Sequence, residues 1–180
     1  MTNLGIDELF ATLARGANAR DGETVNLLAH ALQCAQLLEA SDPDDSELQI
    51  AGLVHDLGTI IEPDQPATHA STGARAVRAL LGDRVADLVE HHDEAKRYLV
   101  TVDAAYRDRL SARSLETLVD QGGLLDDAGC AAFEAAPDFQ ALVRLRRADD
   151  DAKAPGCITV ALATWRPATE SLASLASRRV

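Results

Sequence analysis

Apolar residues recur along this chain at spacings of three and four, and no stretch alternates in the manner of a half-buried strand. The pattern predicts a short helix over 5–17 and a strong one over about 23–40, then the turn-rich Ser41-Asp42-Pro43-Asp44-Asp45. Further helices are expected over about 47–61, 68–81 and 83–96, with Gly82 placed to end the fourth. A loop, a short helix and a glycine stop follow over 98–123, then helices over 125–136, 137–153 and 160–175. The fold class expected is all-α, as a single domain over 1–180 with its working core at about 20–155.

Polar residues inside these apolar helices are the informative ones. The second helix is apolar around most of its circumference, yet carries Glu23, Asn26, His30 and Gln33 at spacings of three, four and three, hence on one face. The third reads Ile50-Ala51-Gly52-Leu53-Val54-His55-Asp56-Leu57-Gly58. An ionised aspartate in so apolar a segment needs a strong compensating charge, and a metal ion is the usual one. A hydrogen-bonded His–Asp pair is the plainer alternative, as is a core histidine for His30 alone. His69 opens the fourth helix, where a capping or surface position is as natural as a ligand.

In the fifth helix the apolar face of Val85, Leu88 and Val89 continues to His92, whereas His91 follows Arg84 and Asp87 to the solvent side. His92 is therefore the candidate ligand, and Lys96, four residues on, shares its face. In the late segment Leu145–Asp151, Arg146 with Asp149 and Arg147 with Asp150 both put a cation and a carboxylate on one face. Spacing alone does not choose between them.

Composition narrows the partners. The net charge is −12, with no basic run, which argues against nucleic acid or an anionic membrane. No segment approaches the roughly 18 apolar residues of a membrane span, and the first residues lack the basic start of a leader, so a cytoplasmic protein is expected. Cys34, Cys130 and Cys157 are too scattered for a zinc or disulfide framework. The ligands on offer are nitrogen and oxygen.

The order His30…His55-Asp56…His69…His92…Asp resembles the HD superfamily of metal-binding helical bundles. The stretch Ala95-Lys96-Arg97-Tyr98-Leu99 through Ser114-Leu115 and Gln121-Gly122-Gly123 to Leu145-Arg146-Arg147 is similar to the branch that includes 2-amino-1-hydroxyethylphosphonate oxygenase, related to myo-inositol oxygenase. That resemblance implies two iron ions of mixed valence held by His30, His55, Asp56, His69, His92 and the late aspartate, with Asp56 bridging. It favours Asp149 with Arg146 over Asp150 with Arg147. It implies O2 and a small anionic phosphonate as partners, gripped by Lys96, Ser114 and Arg146, with Gln33 of the polar stripe also expected at the substrate. Asp56 and Lys96 are the expected catalytic pair. Arg20 and Thr59 stand where the best-known oxygenase of the branch has a gating Tyr and His, so a different hydroxyphosphonate, or a different polyol-like substrate, is expected. A phosphohydrolase using Mn or Mg on a phosphate ester, and a metal-stabilised domain without turnover, are the alternatives.

Overall fold

Asn26 starts the central helix. Its Oδ1 accepts the Ala29 amide at 2.8 Å, so α2 spans Leu27–Ser41 rather than beginning at Glu23. The expected four-residue stripe is thereby corrected: Glu23 precedes the helix and Asn26 is spent as its cap. Through α2 the chain buries His30, Gln33, Cys34, Ala35 and Leu38. The computed structural model describes residues 4–20 and 22–178, and among these no strand occurs. None of the helices is long and apolar enough to cross a membrane.

Ahead of α2 lies α1 (Ile6–Arg15). After it, Asp45 caps α3 (Ser46–Val54), whose residues Leu48 to Val54 are all buried. The expected single helix over 47–61 is broken at His55-Asp56, where Asp56 adopts φ −95° and ψ 13°, and α4 (Leu57–Ile61) then leaves at a new angle. The His–Asp dipeptide is thus a corner, and residues at such corners can aim their side chains inward from two elements at once.

Gly58 makes the next packing possible. A Cβ there would sit 1.9 Å from the His69 carbonyl oxygen, so α4 lies against the start of α5 (His69–Leu81) with no room for a side chain. Gly58→Ala should push α5 outward, with a loss of about 2–3 kcal/mol in denaturant unfolding. The retained metal should fall with it, since His69 is the residue displaced.

Gly82, at φ 90°, separates α5 from α6 (Asp83–Val102). Sequence reasoning ends this helix at about Lys96 and reads a loop beyond it. Packing overrides it. The Tyr98 ring lies 5.0 Å from Phe133 and 5.4 Å from Phe139, and its hydroxyl donates to Glu134 at 2.7 Å. Those partners belong to α9 (Asp127–Glu134) and α10 (Phe139–Asp151). Between α6 and α9 come α7 (Ala104–Arg107) and α8 (Ala112–Asp120), capped by Ser111. The final α11 (Arg166–Ala176) covers α5 and α3, with Trp165 and Thr169 buried beneath it. The core lies among α2, α3, α5, α6 and α10, and the buried polar residues open from it toward α8.

Candidate metal centre

Four imidazoles meet where α2, the α3–α4 corner, α5 and α6 converge. Each has its Nδ1 fixed by a backbone carbonyl: His30 to Ala152 at 3.0 Å, His55 to Gly52 at 2.9 Å, His69 to Pro66 at 2.8 Å and His92 to Val89 at 2.6 Å. A carbonyl only accepts, so each Nδ1 carries the proton and each Nε2 presents a lone pair. These Nε2 atoms face one another, 3.1 Å apart for His30 and His55 and 3.2 Å for His69 and His92. Opposed lone pairs at that distance need positive charge between them, from a proton or a metal ion. Metal bonds of about 2.1 Å bring neighbouring ligand atoms about 3.0–3.4 Å apart, which is the spacing found here. The donor set therefore fits a metal.

Asp56 lies between the two pairs. Its Oδ2 is 3.5 Å from both His30 and His55, and its Oδ1 is 3.6 Å from His69. Two groups with metal-ligand spacing result, His30–His55–Asp56 and Asp56–His69–His92, sharing one carboxylate. Asp149 joins the first, with Oδ1 3.2 Å from His30 and 3.9 Å from His55.

Electrostatics make the same demand for positive charge. Burial opposes ionisation of Asp56, yet His55, His30 and His69 hold it far below the usual carboxylate range. Burial likewise disfavours a charged His30, but its hydrogen bond and proximity to Asp149 overcome this and raise it to about 9. His69 also resists its burial and is raised, chiefly by Asp93. His92 goes the other way, pushed down to about 4 by burial. One histidine of each pair thus draws an extra proton, the charge a metal ion would otherwise bring. The absence of any thiolate among the donors suits iron, manganese or a similar divalent metal better than a closed structural zinc site.

Beside the centre is a cavity of about 70 Å³, walled opposite the histidines by cations. Lys96 is only 2% exposed, and its Nζ donates to Thr117 Oγ1 at 2.9 Å. Burial, with Arg146 adding to it, lowers its ammonium to about 8. Arg146 is held by Asp149 at 2.8 Å through Nη1, by Asp150 through Nη2 and by the Tyr106 hydroxyl at 3.0 Å through Nε. Two of its five donors remain. The Ser114 hydroxyl takes part in bonds with Ser111 and Lys153, both at 3.1 Å, and Lys153 also pairs with Glu23 at 3.0 Å.

The structure brings His30, His55, Asp56, His69, His92 and Asp149 together and sets Lys96, Ser114 and Arg146 on the cavity wall. Gln33 is a correction. Both ends of its amide are used by Ala154, donating to the carbonyl at 3.2 Å and accepting the N–H at 3.0 Å, and it lies off the cavity. It pins the 152–154 segment that carries the His30 acceptor. His91 is exposed and bonded to its own helix, Arg147 is exposed, and Asp150 sits behind Arg146. Arg20 binds the Thr24 carbonyl, while Thr59 does line the cavity. Sequence reasoning missed Tyr106, Thr117, Gln121, the Glu23–Lys153 pair and Asp93; the His91-His92-Asp93 run was the one available signal, for the last.

Comparison with known proteins agrees with this geometry. The HD domain family matches residues 24–120, more than half of the chain, a span that holds the four histidines and Asp56 but not Asp149. Hydroxymethylphosphonate dioxygenase of Gimesia maris is 32% identical over 175 residues, covering 92% of this chain and 87% of that protein. The 1-hydroxy-2-(trimethylamino)ethylphosphonate dioxygenase (glycine-betaine-forming) of Leisingera caerulea is 29% identical over 147 residues, covering 77% and 74%. Paired imidazoles around a shared carboxylate, and these relatives, lead to one conclusion: the chain belongs to the HD-domain family, in its phosphonate oxygenase branch.

Proposed function

We propose that this protein uses O2 to cleave the C–P bond of a small 1-hydroxyalkylphosphonate, giving a carboxylate and inorganic phosphate. The overall change balances, as R–CH(OH)–PO3H2 and O2 become R–COOH and H3PO4. The observation that carries this reading is the buried cationic wall of Lys96 and Arg146, facing two histidine pairs that share Asp56. Arg146 also anchors Asp149, but Lys96, buried with only Thr117 as its hydrogen-bond partner among the described residues, has no such structural duty.

His30, His55 and Asp149, with His69, His92 and Asp56, would hold a pair of iron ions, which when bound would supply Lewis acidity and electron exchange with O2. The chain does the rest. Lys96 and the remaining donors of Arg146 neutralise the phosphonate, and Ser114 orients it. With the anion held on that wall, its carbon would lie on the side of the histidines that line the same cavity. In a chain of net charge −12, this local positive wall is what makes an anion welcome.

The test is anaerobic loading with Fe(II), then hydroxymethylphosphonate with O2, following oxygen uptake and phosphate release together. Coupled uptake and release support the proposal; phosphate release from esters supported by Mn or Mg, without oxygen, would assign a phosphohydrolase instead. Lys96 supplies a pH signature. Its lowered value keeps the ammonium charged below about pH 8 and neutral above, so kcat/KM should fall as pH rises through about 8. Lys96→Ala should remove that limb and lower kcat/KM about 10–100-fold, the equivalent of one charged hydrogen bond, with metal content unchanged.

A further inference from the structure

We propose that Asp93 is a seventh metal ligand, giving the His69–His92 half of the centre a carboxylate of its own. Its Oδ1 lies 3.6 Å from His92 Nε2 and its Oδ2 3.7 Å from His69 Nε2. The shared Asp56 lies at much the same distance, 3.6 Å from His69. These separations are a few tenths of an ångström longer than those between atoms bound to one ion and are like those of Asp56 from the histidines, so a small side-chain shift would bring either carboxylate onto the metal.

With Asp93 included the two halves become alike. His30 and His55 have Asp149 as their private carboxylate; His69 and His92 have Asp93; Asp56 serves both. Asp93 is also held in place for this. Gln121 donates to its Oδ1 at 2.6 Å, which fixes the carboxylate plane and leaves Oδ2 directed at His69. Such a partner behind a ligand is a regular feature of metal sites, because it orients the oxygen and sets its basicity. Gln121 and Asp93 both line the cavity, and Gln121 Oε1 is buried with no hydrogen-bond partner among the described residues. That acceptor awaits a donor, such as a hydroxyl or water, arriving with the occupant of the cavity.

This inference rests on the two-metal reading of the site but not on the reaction. It is tested by anaerobic calorimetric titration of the metal-free protein with Fe(II), repeated with Co(II) and followed by visible absorption. The wild type should take up two equivalents. Asp93→Asn should keep one at wild-type affinity and bind the other at least about tenfold more weakly, with a changed cobalt spectrum for that equivalent alone. Asp93→Glu should restore part of the loss. If Asp93→Asn does not fold, Gln121→Ala, which frees the carboxylate from its anchor, should weaken the same equivalent severalfold. Two equivalents of unchanged affinity and spectrum in these variants would overturn the assignment of Asp93 while leaving the two-metal reading intact. Fewer than two in the wild type would overturn both.

Discussion

Replacing Asp56 by alanine should strip the protein of both metal equivalents and lower turnover by far more than the roughly 10–100-fold that loss of a supporting partner costs. Among the described residues Asp56 is the one carboxylate within reach of both histidine pairs, through Oδ2 to His30 and His55 and Oδ1 to His69. Its loss leaves four buried imidazoles converging without the charge that holds two cations together. Asp56→Asn keeps the shape and removes only the charge, so it should fold normally and still fail to load. Metal analysis after dialysis is the measurement. Retention of one full equivalent in Asp56→Asn would show that the halves do not depend on a common ligand.

Arg146→Ala should destabilise the metal-free protein by about 3–5 kcal/mol, the usual consequence of leaving buried charge without its partner. Arg146 is 3% exposed and is the cation paired with both Asp149 and Asp150. Burial raises Asp149, but Arg146 first and His30 next hold it well below the ordinary carboxylate value. The sign of the pH dependence follows. A depressed carboxylate contributes stability above its unfolded value of about 3.9 and loses it as pH falls through the folded value. The gap between wild type and variant in urea unfolding should therefore be full near pH 7 and narrow below about pH 4. Arg146→Lys should recover only part of it, because an ammonium cannot span Asp149, Asp150 and Tyr106 at once. A gap that does not change with pH would show that the loss is packing rather than charge.

Much of this was legible in the residues. The helices around the centre announce themselves by apolar spacing, and His92 is separable from His91 because the apolar face of α6 leads to it. What could not be read depends on contacts remote in sequence. The break at His55-Asp56 lies in a segment whose local pattern is an unbroken apolar helix, and only packing of Gly58 on the His69 carbonyl makes the corner necessary. The extension of α6 past Lys96 depends on Phe133 and Phe139. Gln33 shares a face with His30, but the returning 152–154 segment takes its amide. Asp93 was passed over because it falls outside the apolar stripe; what gives it meaning is Gln121, arriving 28 positions later.

One part of the cavity wall comes from outside the elements that would hold metal, although Lys96 and Arg146 share α6 and α10 with His92 and Asp149. The four histidine rings and Asp56 belong to α2, the α3–α4 corner, α5 and α6, each ring fixed by a main-chain carbonyl. Ser114, Thr117 and Gln121 come instead from α8 and its end, which lies against the turn Pro66–Thr68 outside that core. Evolution can therefore recut the specificity of such a protein by rewriting one peripheral helix while the reactive machinery is inherited unaltered. Divergence among its kin should concentrate on that wall, and grafting α8 from a relative is the shortest engineering route to a new substrate.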